Sequence, residues 1–272
     1  MKIIGTDPFI TIYCFVIIFI IGAVFGSFLH CLAWRMTHGE SVLKGRSHCP
    51  SCGHVLGALE LIPIFSFIFQ KGKCKSCGEK IPARYPIAEL VLACMSVMML
   101  TRFDVSWELL KGIVFLFGLF ALTITDLDEM IIPDSFLIVL GVNWIIFELI
   151  TRRGIRDIGI GLISAILIGL ILLSIVLLFE RIIGRDAMGG GDIKLIAVCT
   201  LYTGAIGALL MILVACVLGL IFVALTNVVD KKITVDKKIT GKMFPFGPSI
   251  AVAAWLVVMY GEPVIEWYLN LI

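Results

Sequence analysis

Apolar positions in this chain fall in long unbroken runs, without the alternation of a half-buried strand or the three-and-four spacing of a surface helix. The runs cover residues 9 to 33, 86 to 101, 107 to 125, 131 to 150, 158 to 180, 193 to 204, 205 to 229 and 246 to 271. At the rise of an α-helix, roughly 20 apolar residues cross a bilayer. The pattern therefore predicts an all-α polytopic membrane protein with about eight transmembrane helices. Two of the runs are short or abutting, so seven spans is the other count. The first run is too long for a cleavable signal peptide, lacks a small-residue cleavage site and flows directly into "GSFLHCLAWR".

Composition agrees, with 60% hydrophobic and only 15% charged residues. The charges orient the chain, because cytoplasmic loops carry the excess of Lys and Arg. With the N-terminus outside, segments 35 to 84, 181 to 194 and 230 to 242 place sixteen of the 22 basic residues inside. Arg152, Arg153 and Arg156 in "TRRGIRD" are the exception, and the reversed topology would misplace far more. A net charge of +2, with no basic patch interleaved with aromatics, excludes nucleic acid as a partner and leaves membrane lipid. Gly204, Gly207 and Gly219 suit close helix packing in lipid.

The one long polar interruption reads "CPSCGH" and later "CKSCGE". Each Cys-x-x-Cys turn offers two thiolates to one metal, and Cys49, Cys52, Cys74 and Cys77 together complete a tetrahedral S4 site suited to zinc or, less often, iron. A cytoplasmic location disfavours the alternative of two disulfides. With all four positions filled by protein the metal is structural, supporting a segment too small for a core of its own. His48 and His54 flank one pair and read as solvated neighbours. Cys14, Cys31, Cys94, Cys199 and Cys216 read as small packing residues. The chain thus divides into a first transmembrane helix (1–34), a cytoplasmic tetra-cysteine zinc-binding domain (35–85) and a membrane domain (86–272).

Carboxylates inside spanning segments are costly, about 2.5 to 3.5 kcal/mol each on insertion scales, and mark function by default. Two places stand out. In "ALTITDLDEMIIPD" a span ends at Asp126 and Asp128 before the chain breaks ahead of Asp134; in "AMGGGDIKL" Asp192 opens a helix behind Gly189, Gly190 and Gly191. Both ends face the cytoplasm in the topology above, so Asp126 and Asp192 can meet and share a proton, one acting as base on a water and the other as acid to a carbonyl. The glycines would let a substrate backbone approach Asp192. Asp128 reads as an end-of-helix charge, Asp134 as an N-cap and Lys194 as a topology charge.

These motifs, with "FGSFLHCLAWR", "LIPIFSFIFQKGKC", "RYPIAEL" and "FPFGPSIA", run along nearly the whole chain in order. In them the chain resembles the type 4 prepilin peptidases, bacterial GxGD intramembrane aspartic proteases. The resemblance implies a bifunctional enzyme of the bacterial inner membrane. Such enzymes remove the leader of type 4 prepilins and pseudopilins after a glycine at the cytoplasmic face, then methylate the new N-terminal amine using S-adenosylmethionine. It gives Asp126 and Asp192 the catalytic roles, links Gly72 to methylation and makes Glu89 a recurring acidic position. His30 stands where the family commonly has Asn. Alternatives are a peptidase without methyltransferase activity, a proton-coupled transporter and a non-catalytic scaffold.

Overall fold

A computed structural model of the chain describes residues 4–5, 7–37, 39–41, 45–151, 154–184, 188–233 and 244–271. Its regular elements are helices: α1 (Pro8–Thr37), α2 (Phe65–Phe69), α3 (Arg84–Phe103), α4 (Trp107–Glu129), α5 (Asp134–Ile150), α6 (Ile155–Ile183), α7 (Gly190–Ile233) and α8 (Gly247–Leu269). A 3₁₀ turn at Ala58–Leu61 precedes α2. Arg152 and Arg153, the exceptions to the charge rule, lie outside the described residues, as does most of the basic segment from 230 to 242.

Among the described residues six helices, α1, α3, α4, α6, α7 and α8, are long and apolar enough to cross a membrane. Each of the eight apolar runs nevertheless lies mostly in a helix. At 17 residues α5 is about 26 Å long, a little short of the hydrocarbon thickness. The other difference is α7, which carries two of the runs and is broken at Gly204 (φ 70°, ψ 174°). Large apolar side chains such as Phe9, Ile12, Ile163, Ile166 and Leu170 point outward from α1 and α6. Helices that are apolar on their exposed face are at home in lipid, where such a surface costs nothing.

The chain forms two compact units, Met1–Ile124 and Thr125–Ile272, with α4 running across the boundary. In the first, α1 packs along α3. The contact is made by Gly22 and Gly26, a small-xxx-small pair. A Cβ at Gly22 would lie 2.7 Å from Ala93 Cα, and one at Gly26 would lie 2.9 Å from Glu89 Cα. Without a hydrophobic driving force between helices in lipid, such backbone approach supplies the van der Waals contact that holds them.

In the second unit the break at Gly204 reverses the chain. Along the first arm of α7, Lys194 meets Asp134 and Tyr202 meets the Leu140 carbonyl, so this arm runs parallel to α5. Along the second arm, Gly207 faces Val257 and Gly219 faces Phe246, so this arm runs antiparallel to α8. Gly207 and Gly219 serve close packing as expected. Gly204 does not: a Cβ there would meet nothing within 4 Å, and its role is a positive φ that other residues rarely adopt.

Candidate active site and metal centre

Asp126 sits in the last turn of α4, 5% exposed. The helix closes just after it, with the Met130 N–H on the Asp126 carbonyl at 3.0 Å and Met130 itself at φ 55°. The Asp126 side chain is fixed from α8: its Oδ2 accepts the Gly247 N–H at 2.9 Å. Gly247 is the first residue of α8, so the donor is one of the N–H groups a helix start leaves unused, and the positive end of the helix faces the carboxylate. Any side chain there would displace the carboxylate, since a Cβ would lie 2.7 Å from the same oxygen.

Asp192 lies in the first turn of α7, half-buried, with its N–H on the Gly189 carbonyl at 3.1 Å. Its carboxylate is within electrostatic reach of Asp126. The three glycines before it have separate surroundings. A Cβ on Gly191 would press on Ile132 at 3.0 Å, one on Gly189 would touch Asp192 Oδ2 at 3.4 Å, and Gly190 faces open space. The bare backbone at Gly191 thus seats the "IIP" segment against the start of α7, while Gly189 and Gly190 remain exposed beside the carboxylate.

Gly219, eleven residues before the apolar sequence gives way to Asp230, packs against Phe246 beside Gly247. The dyad is therefore level with the middle of an apolar arm that continues for about ten residues beyond it, or about 15 Å at the helical rise. Asp126 is buried there, where low-dielectric surroundings strengthen its electrostatic contacts, while Asp192 is half-buried.

Asp134 departs from expectation. Pro133 occupies the N-cap position of α5, and Asp134, in the first helical turn, makes no cap bond. It accepts from Lys194 Nζ at 2.8 and 3.0 Å through its two oxygens, and both side chains are exposed. Lys194 is thus an ion-pair partner tying the start of α5 to the start of α7. It points away from Asp192, as two positions on a helix must. Asp128 is half-buried in the last turn of α4.

In the first unit the four cysteines converge. Ligand atoms of Cys49, Cys52, Cys74 and Cys77 all lie within 4.8 Å of one another, with Cys49 Sγ to Cys77 Sγ at 3.9 Å and Cys52 Sγ to Cys74 Sγ at 4.0 Å. Tetrahedral zinc at about 2.3 Å from each sulfur needs sulfurs about 3.8 Å apart, so the set fits such an ion. The two turns repeat one pattern. Cys49 N–H bonds the His54 carbonyl as Cys74 N–H bonds that of Glu79, and Gly53 and Gly78 follow with positive φ. Backbone N–H groups of Cys52 and Ser51 pull the Cys49 thiol down to about 7, and those of Cys77 and Ser76 lower Cys74, while Cys77, against the Glu79 N–H that lowers it, is pushed up to about 12 by burial and the neighbouring thiols, so Cys49 and Cys74 give up their protons most readily. His54 is held by Glu60, Nε2 to Oε2 3.1 Å, and is not needed as a ligand. Gly72 has φ 68°, and a Cβ on it would sit 3.1 Å from the Phe67 ring.

Two family models match the chain: the Bacterial Peptidase A24 N-terminal domain over residues 20–103, and the Type IV leader peptidase family over residues 113–224. A prepilin leader peptidase/N-methyltransferase of Bacillus subtilis (strain 168) is 35% identical over 262 residues, covering 94% of this chain and 98% of the relative. The chain belongs to the type IV leader peptidase family. Proteins of the same name from Aeromonas salmonicida (strain A449), 34% identical over 85% of this chain and 77% of theirs, and from Pseudomonas aeruginosa, 32% identical over 82% and 74%, are further relatives. No solved structure matches.

In this leader peptidase the motifs named Asp126 and Asp192 but not Gly247, although "FPFGPS" carries the signal of a Gly-Pro helix start. They also left Glu89 without a physical role. Its Oε2 accepts the Ile64 N–H at 2.7 Å, and Ser27 bonds it as well. Ile64, at φ 63° and ψ −53°, is the centre of a three-residue turn closed by Phe65 N–H on the Pro63 carbonyl at 2.6 Å. Such a turn is rare and strained for a β-branched residue, and the buried carboxylate holds it in place. His30 packs on Tyr85, ring centroids 4.4 Å apart.

Proposed function

We propose that the chain cleaves the leader from type 4 prepilins and pseudopilins after a glycine, and then methylates the new N-terminal amine with S-adenosylmethionine. The observation that supports the peptidase half is that Asp192 at the start of α7 lies within electrostatic reach of Asp126 at the end of α4, with the Gly247 N–H from the start of α8 on Asp126. Two neighbouring carboxylates hold one proton between them. The ionised one takes a proton from water as its oxygen attacks the scissile carbonyl, and the protonated one gives its proton to the carbonyl oxygen. Collapse of the tetrahedral intermediate expels the amine, which takes a proton back from the dyad. Exposed Gly189 and Gly190 leave room for an extended substrate backbone beside Asp192.

The four cysteines hold a zinc ion whose role is structural, because a closed thiolate set leaves no position for water. The charge distribution supports a cytoplasmic membrane location with the N-terminus outside and both the cysteine loop and the dyad toward the cytoplasm. The test is cleavage of a prepilin by Asp126→Asn and Asp192→Asn variants that still insert in the membrane. Each loses cleavage entirely; near-normal cleavage by either overturns the dyad.

A further inference from the structure

We propose that the outer face of α2 and the segment before it dock on the membrane surface, with anionic lipid headgroups as their partner. All the residues involved lie within the unit Met1–Ile124. α2 is only five residues long, and its two faces differ. Phe65, Ile68 and Phe69, at the i, i+3 and i+4 spacing of one helical face, are 57%, 62% and 81% exposed. Ser66, Phe67 and Gln70, on the opposite face, line an internal cavity. Leu59 and Ile62, just before the turn at Ile64, are exposed as well. Five large apolar side chains thus stand outside in the chain's one long polar interruption, and water is a poor neighbour for such a group.

The depth of this surface identifies its partner. The Ile64 N–H is held at 2.7 Å by Glu89 Oε2, and Glu89 lies five residues inside the start of α3, about 7.5 Å along the helix from Arg84. On α1, Gly26 packs against the Glu89 backbone, eleven residues or about 16 Å before that helix ends at Thr37. α2 therefore begins level with the body of two spanning helices and not beyond their ends. At this level α1 exposes Phe28 and α3 exposes Ile87 and Leu90, so the apolar face of α2 joins the lipid-facing belt of the same unit. Amphipathic segments at a bilayer interface bury their apolar face about 5 to 10 Å into the boundary between headgroups and acyl chains, a depth that matches.

Charge completes the match. From Phe65 to Arg84 the chain carries Lys71, Lys73, Lys75, Lys80 and Arg84 against the single acid Glu79, and all six are exposed. Basic side chains beside an apolar face are drawn to anionic headgroups, which hold the face at the membrane surface. A second copy of this chain would bring the same basic side chains against themselves, and such like-charge contact is disfavoured. Lipid then holds the cysteine loop from outside while Glu89 holds its strained turn from within, and the loop stays against the spanning helices.

The experiment puts a genetically encoded fluorescent amino acid in place of Phe69 in the full chain, and in place of Ile166 in α6 as a reference within a span. Each chain is reconstituted in vesicles of phosphatidylcholine and phosphatidylglycerol. Brominated lipids quench a probe at the depth of their bromines, and acrylamide quenches a probe in water. Prepilin cleavage and metal content on the same samples report that each labelled chain is folded, and Ile68 takes the probe if position 69 does not tolerate it. The expected result is that bromines near the headgroups quench the probe at Phe69 about twofold or more better than bromines deep in the acyl chains, the reverse of Ile166, while acrylamide has little effect. Brominated phosphatidylglycerol should quench it about twofold or more better than brominated phosphatidylcholine, a preference that combined Lys71→Gln, Lys73→Gln and Lys75→Gln substitutions remove. Quenching by acrylamide alone would show a face in water, and protection from both quenchers a face covered by protein, whether another part of the chain, a second copy or the prepilin; either overturns the proposal. Equal quenching by the two brominated lipids overturns the choice of anionic headgroups.

Discussion

Gly247 has no room for a methyl group, because its Cα faces the Asp126 carboxylate that its own N–H fixes. Gly247→Ala should therefore push Asp126 out of place and slow leader cleavage by about 10²-fold, as misplacement of a reacting group by a fraction of an ångström to an ångström does. Steady-state cleavage by the membrane-inserted variant checks this. Asp134→Asn removes only an exposed ion pair with Lys194, worth at most about 1 kcal/mol, and should keep most of the activity in the same assay. Glu89→Ala leaves the Ile64 N–H without its acceptor in a strained turn, which should cost about 1 to 3 kcal/mol of stability. Thermal unfolding in micelles would register it. The two aspartates and four cysteines were legible from residue type and spacing. Gly247 and the turn at Ile64 were not, because their meaning lies in partners 121 and 25 positions away.

At the scale of elements, the helices follow from unbroken apolar runs, and their ends follow from local chemistry such as the Gly-Pro start of α8. How they meet depends on a few small residues. Gly22→Leu should force α1 from α3, since even a Cβ there would lie within 2.7 Å of backbone; overpacking of this kind costs about 1 to 3 kcal/mol or more. A lower melting temperature than that of Gly141→Leu, at a glycine with open space around it, is the expected outcome. Among the described residues the cysteine loop has little regular structure: a 3₁₀ turn, a five-residue helix and two isolated bridges. Stripping the metal should make residues 45 to 82 sensitive to limited proteolysis, and purified protein should carry about one metal ion per chain.

For the whole molecule, Asp126 and Asp192 lie in the compact unit Thr125–Ile272, and the four cysteines and Gly72 in Met1–Ile124. Given pilin that has already been cut, Asp192→Asn should methylate it at the wild-type rate, and Gly72→Leu should cleave prepilin but not methylate. Failure of Asp192→Asn to methylate pre-cut pilin would make the two sites one. By itself the sequence determined the membrane class, the helices and the four-thiol set and singled out the two aspartates as candidates, because continuous hydrophobicity, Cys-x-x-Cys spacing and charge in an apolar span are properties of neighbours in the chain. It did not determine that Gly204 reverses α7, that Pro133 rather than Asp134 caps α5, that Gly247 fixes Asp126, or that Glu89 ties the turn at Ile64 level with the spanning helices. Those depend on which distant backbone groups come within hydrogen-bonding or van der Waals distance, and only the packing of helices against one another sets such distances.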